Sequence, residues 1–113
     1  MKTAVEIYYS NSCPHCPPAK ELVERVCAAL ETERPGEVEL KEYDVNSPEG
    51  AARVRGYGIV GTPAVIVKGP ALAGGFLLDA INEATLRKAV ATASGREGEK
   101  EKKKGFWESL FGG

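Results

Sequence analysis

The chain has 113 residues, 42% of them hydrophobic and 27% charged, and its formal net charge is −1. That allows one small globular domain with a modest core. The charge balance offers nothing to nucleic acid, no stretch approaches a membrane span, and the first residues lack the apolar run of a signal peptide, so a cytoplasmic protein is expected.

Ala4 to Tyr9 reads as a strand that is apolar on both faces, with Val5, Ile7 and Tyr9 on one and Ala4 and Tyr8 on the other. Glu6 is the exception. Asn11-Ser12 forms a loop, and Cys13-Pro14-His15-Cys16 follows. Ala19 to Leu30 then has helical spacing, with Leu22, Val23, Val26 and Leu30 inward and Lys20, Glu21, Glu24 and Arg25 outward. Pro14 is expected at the first helical position, where a missing N–H costs nothing. Pro17 and Pro18 are expected to kink or delay the helix.

Two cysteines with two residues between them can close one tight disulfide or supply half of a zinc site. Their place at a strand-to-helix turn favours redox chemistry. Unpaired backbone N–H groups and the helix dipole stabilise a thiolate there. The thiolate is the attacking species in disulfide exchange. Cys13 is therefore read as the nucleophile and Cys16, one turn inward, as the resolving thiol. A protonated His15 would favour the Cys13 thiolate, and Pro14 limits the loop's conformations. No metal site is expected, because zinc takes four ligands and only this pair, His15 and Cys27 are at hand. Cys27 reads as a small buried hydrophobe on the helix stripe.

Arg34-Pro35-Gly36 is a turn. Val38, Leu40 and Tyr43 to Val45 mark a second strand. Ser47 caps a short helix that starts at Pro48, runs to about Arg55 and is broken by Gly56 and Gly58. Tyr57 belongs either to the core or to the border of the dithiol site. Gly61-Thr62-Pro63 leads into a β-branched strand, Ala64 to Val67. Lys68-Gly69-Pro70 turns the chain, and Ala71 to Phe76 returns as an antiparallel edge strand interrupted by Gly74-Gly75. Asn82 caps a last helix carrying Leu86, Ala89, Val90 and Ala93 inward. The order β-α-β-α-β-β-α predicts an α/β fold, a parallel crossover followed by an antiparallel hairpin.

The domain is expected to span residues 1–94, followed by a charged linker over 95–105 and an aromatic tail over 106–113. In the tail, Phe106, Trp107, Leu110 and Phe111 would share one side of a short helix, with Lys102-Lys103-Lys104 before it. It reads either as an end that is disordered or folds back on its own domain, or as a docking peptide for a partner. Membrane contact is the less favoured use.

With Cys13-Pro14-His15-Cys16 after the first strand and Gly61-Thr62-Pro63 before the third, the chain resembles the thioredoxin/glutaredoxin superfamily over roughly residues 3–94. The resemblance implies a thioredoxin fold with a central mixed four-stranded sheet flanked by helices. It implies that Pro63 is cis and faces the dithiol, with Gly61 and Thr62 beside it binding substrate peptide by strand addition. The chain begins at the strand before the motif, as glutaredoxins do, and Gly74-Gly75 resembles their Gly-Gly, with the following acid displaced to Asp79. Ser12 stands where thioredoxins place a Trp, Ile7 where they place a buried acid, and Ser10 where glutaredoxins often place a basic residue. Cys13 to Pro17 resembles the glutaredoxin-like units of archaeal protein disulfide oxidoreductases.

The implied function is reduction of protein disulfides, with no cofactor beyond the Cys13–Cys16 disulfide itself. A thioredoxin-reductase-type flavoenzyme is the first expectation for the electron donor, and glutathione the second. The alternatives are a metal or iron–sulfur cluster carrier using the same cysteines, and a disulfide oxidase or isomerase.

Overall fold

Side chains alternate between the two sides of a strand, and β1 (Thr3–Tyr9) buries both of its sides. The computed structural model describes residues 2–95. The linker expected over 95–105, Gly95 apart, and the tail over 106–113 lie outside the described residues. Six further elements follow β1: α1 (Cys16–Glu33), β2 (Val38–Asp44), α2 (Pro48–Tyr57), β3 (Ala64–Gly69), β4 (Leu72–Leu77) and α3 (Glu83–Ala93). The sheet order is β2-β1-β3-β4. β1 pairs parallel with β2 and antiparallel with β3, and β3 pairs antiparallel with β4. This is the mixed four-stranded sheet and the element order that the sequence predicts.

One face of the sheet presents Val5, Ile7, Val65 and Val67 to Val23, Val26 and Leu30 of α1 and to Leu86 and Val90 of α3. Each such side chain, fully buried, stabilises the fold by roughly 1.5–3 kcal/mol. The opposite face carries Tyr8, Ala64 and Ile66, packed against Ile59 and against Val54 and Tyr57 of α2. Tyr57 is thus part of this second cluster, its ring edge-on to Tyr8 at 6.2 Å between centroids. Gly75 takes φ 89° within β4, and a Cβ there would lie 3.3 Å from the Tyr57 ring.

Glu6, the odd residue of β1, is buried on the α2 face. Tyr8 donates its hydroxyl to Glu6 Oε1 at 2.5 Å, and burial together with that carboxylate pushes the Tyr8 pKa up. Arg53 of α2 approaches Glu6 Oε2 at 3.6 Å and lies over the Tyr43 ring at 4.4 Å. Removing one partner of a buried pair strands the other charge. The Arg53 side chain is 34% exposed, so solvent softens the loss. Arg53→Met is expected to cost about 2 kcal/mol in urea unfolding. Adding Glu6→Leu to it is expected to recover only part of that, because no charge is then left buried but the Tyr8 hydroxyl loses its acceptor.

Several boundaries differ from the sequence reading. α1 begins at Cys16, not Ala19, and Pro14 lies before the helix rather than at its first position. Pro17 and Pro18 occupy the first turn without delaying it. The first i→i−4 bond of the helix is that of Ala19, whose N–H donates to His15 O at 3.4 Å. Prolines upstream of it therefore forfeit no bond. Gly56 lies inside α2, and only Gly58, at φ 72°, ends it. β3 runs on to Gly69, and Gly74-Gly75 lies within the span of β4 and interrupts its pairing as expected, the register shifting between Val67 opposite Phe76 and Gly69 opposite Leu72.

Candidate active site

The carboxyl end of β1 delivers the chain into a loop held by Ser10. The Cys13 N–H donates to Ser10 O at 3.1 Å, and the Cys16 N–H donates to Cys13 O at 3.2 Å. The Ser10 hydroxyl accepts from the Ser12 N–H at 3.3 Å and from Asn46 Nδ2 at 3.5 Å. Both cysteines are thus fixed through their backbone. The sequence reading missed this anchoring use of Ser10. A small polar residue two positions before a turn serine was its only signal.

The two sulfurs sit in different surroundings. Cys13 is partly exposed, whereas Cys16 is 1% exposed at the start of α1. A hydrogen bond from the Cys16 thiol, supported by the backbone N–H groups of His15 and Cys16, holds the Cys13 thiol below its ordinary range. Burial, then the bond to Cys13, pushes the Cys16 thiol up. His15 and Pro14 are exposed. His15 is the residue before the helix, and its side chain makes no capping bond there.

The Thr62–Pro63 peptide bond is cis. The Thr62 carbonyl accepts from the Cys13 thiol at 3.7 Å. Gly61 is exposed and open, with nothing near the position of a Cβ. Val60, just before it, is fully exposed at 102%. A shallow groove of about 300 Å³ borders Cys16 and is lined also by Tyr9, Ser10, Lys20 and Glu24. Lys20 Nζ lies 4.1 Å above the Tyr9 ring.

Cys27 packs in the core under α1, and burial pushes its thiol up to about 11. This sets a reactivity order. Iodoacetamide consumes thiolate, so Cys13 is expected to be alkylated first, at a rate that falls as pH drops through its lowered pKa. Cys16 and Cys27 are expected to stay unlabelled in the folded protein at pH 7, as peptide mass mapping would show. Modification of Cys27 before Cys13 would overturn this order. Because its folded pKa is raised, Cys27 contributes stability that is fully present below the ordinary thiol range and is lost as pH climbs through about 11.

Among the described residues, no group of three or more His, Cys, Asp or Glu side chains is arranged to hold a metal ion. Among the same residues, no helix is long and apolar enough to cross a membrane.

No family model matches the chain. A thioredoxin of Methanocaldococcus jannaschii is 38% identical over 68 residues, covering 60% of this chain and 73% of that protein. Among solved structures, a Fasciola hepatica thioredoxin superposes with a TM-score of 0.59 at 24% identity, covering 82% of each chain. A thioredoxin from Thermus thermophilus gives 0.58 at 18% identity, covering 87% of this chain and 82% of its own. At those identities the two structures speak for the fold, and the archaeal relative speaks for the family. On that relationship, the chain belongs to the thioredoxin family of thiol–disulfide oxidoreductases.

Proposed function

We propose that the protein reduces protein disulfides through Cys13 as nucleophile and Cys16 as resolving thiol. The observation that carries this reading is the asymmetry of the pair: one sulfur reachable and biased toward thiolate, the other enclosed and biased toward thiol. The Cys13 thiolate attacks one sulfur of the substrate disulfide. That S–S bond breaks, and the other substrate sulfur leaves as a thiolate and takes up a proton. Cys16, losing its proton, then attacks the Cys13 sulfur and expels the second substrate thiolate. The substrate gains two electrons, and the protein keeps a Cys13–Cys16 disulfide. No other redox group is needed. Regeneration falls to a thioredoxin-reductase-type flavoenzyme first and to glutathione second, in a cytoplasmic setting.

Thr62 and Pro63 support peptide binding beside the dithiol. An extended substrate would pair with the Thr62 backbone, Gly61 leaves room for its approach, and Val60 offers an apolar contact. Pro14 keeps the loop in one shape, and His15 supplies a backbone N–H to the Cys13 sulfur.

Cys16→Ser tests the order of events. It is expected to trap a stable mixed disulfide between Cys13 and substrate, seen as a mass adduct that dithiothreitol removes. An adduct on any other cysteine would sink the assignment. The direction is tested by equilibrating the wild-type protein in thiol redox buffers. A potential near about −270 mV supports a reductase, and one approaching roughly −120 mV would make it an oxidant or isomerase.

A further inference from the structure

On the side of α1 remote from α3, a groove of about 430 Å³ runs between the helix and the edge strand β2. Cys27, Ala28, Val38 and Leu40 form its apolar floor, and Glu24 and Glu31 of α1 stand along its rim with Lys2. The sheet order leaves β2 with no strand beyond it among the described residues. The site at Cys13 does not use this face.

The route of the chain points to an occupant. Ser94, next to the last described residue, is tied to the strand ends beside the groove. Its hydroxyl lies 2.6 Å from Thr3 Oγ1 and 3.4 Å from Glu37 Oε1. The Thr3 N–H in turn donates to Glu37 O at 2.7 Å. Thr3 and Glu37 are the chain neighbours of Lys2 and Val38, which line the groove. The chain therefore leaves the domain at the mouth of the groove. Residues 96–113 follow, carrying Lys102-Lys103-Lys104 and then Phe106-Trp107-Glu108-Ser109-Leu110-Phe111.

We infer that the segment Phe106–Phe111 docks in this groove of its own chain, its aromatic and leucine side chains on the floor and the lysine run against the acidic rim. The distance from Gly95 to Phe106 is no obstacle, since the intervening chain can reach up to about 40 Å. Each exposed ion pair contributes under about 1 kcal/mol, and the apolar floor is small. A separate molecule would bind such a surface weakly. A tethered segment meets it at an effective concentration of order millimolar, so the same weak contacts suffice within the chain. That difference favours the chain's own segment over a second copy.

Trp107 is the only tryptophan in the sequence, so its fluorescence reports on the segment alone. In the full chain its emission is expected to be blue-shifted relative to a synthetic peptide of residues 96–113. Acrylamide quenching is expected to be several-fold weaker than in the peptide, at any protein concentration. Ala28 is an exposed helix residue on the floor, so Ala28→Arg blocks the groove and repels the lysines without disturbing the core. It is expected to return emission and quenching to the peptide's values, with the far-ultraviolet circular dichroism unchanged. Should that variant misfold, replacing Lys102, Lys103 and Lys104 by Glu leaves the domain untouched and is expected to release Trp107 likewise. Three results would overturn the inference: Trp107 as quenchable in the chain as in the peptide, shielding that grows with protein concentration, or shielding that survives both variants. The second would assign the groove to another copy, and the third would place the segment on a different surface.

Discussion

Cys13→Ser is expected to lower the rate of protein disulfide reduction by at least about a thousandfold. Serine has nearly the same shape, so the fold and the Thr62 contact should survive. A hydroxyl, however, stays protonated where the Cys13 thiol is biased toward thiolate, and it forms no S–S bond. The enclosed Cys16 cannot replace it, since its sulfur is 1% exposed and pushed toward the protonated form. Insulin reduction with dithiothreitol as donor measures the effect. Retention of more than a tenth of the wild-type rate would mean that Cys13 is not the nucleophile. Cys27→Ser is the companion measurement. It should leave the rate within about twofold while lowering stability by roughly 1 kcal/mol, because it buries a hydroxyl in the core beneath α1.

The second large effect concerns stability. Gly50→Ala is expected to destabilise the domain by about 3 kcal/mol, lowering the melting temperature by roughly 12–24 °C for a domain of this size. The reason lies in how α2 starts. Ser47 accepts from the Gly50 N–H at 3.0 Å and donates its hydroxyl to Asp44 O at 2.6 Å. That wraps the first turn of α2 around the end of β2. A Cβ on Gly50 would fall 1.9 Å from Asp44 O. The atom it strikes is backbone, which cannot swing away, so β2 or α2 must move. Gly56→Ala is the control. It lies in the same helix with nothing within 4 Å of its Cβ position, and alanine there should stabilise by about 0.5–1 kcal/mol. Thermal melts of both variants should move in opposite directions. Equal shifts would mean that the start of α2 yields more readily than the packing implies.

Much of the molecule was legible because its rules are short-range. The β-branched run of Ala64–Val67 and the helical spacing of Leu86, Ala89, Val90 and Ala93 involve neighbours a few residues apart. The caps at Ser47 and Asn82 do so too, and both accept from an N–H three residues on. The closeness of Cys13 and Cys16 is likewise local, since their spacing is itself a sequence fact. Element type and order followed from these, and the α/β fold followed from the order.

The helix start was misread for a reason of degree. Prolines were treated as breakers, whereas in the first turn the N–H groups they lack have no carbonyl to reach. Cys16, Pro17 and Pro18 therefore all enter α1. Glu6 escaped because alternation says which side a residue takes but not what waits there. Its neighbour on the α2 face, Arg53, is 47 positions away in the sequence.

By itself, then, the sequence determined the two motifs, the order of the elements and the inward stripes of α1 and α3. Only the tertiary structure decided that Cys13 meets the Thr62 carbonyl, 49 positions along the chain. It also decided that one sulfur stays reachable while the other is enclosed, that Gly50 faces a carbonyl with no room for a methyl, and that Ser94 lies against Thr3 and Glu37. Local rules act over a turn of helix or a step of strand. These contacts depend instead on how a sheet and its helices close on one another, which no window of the sequence contains.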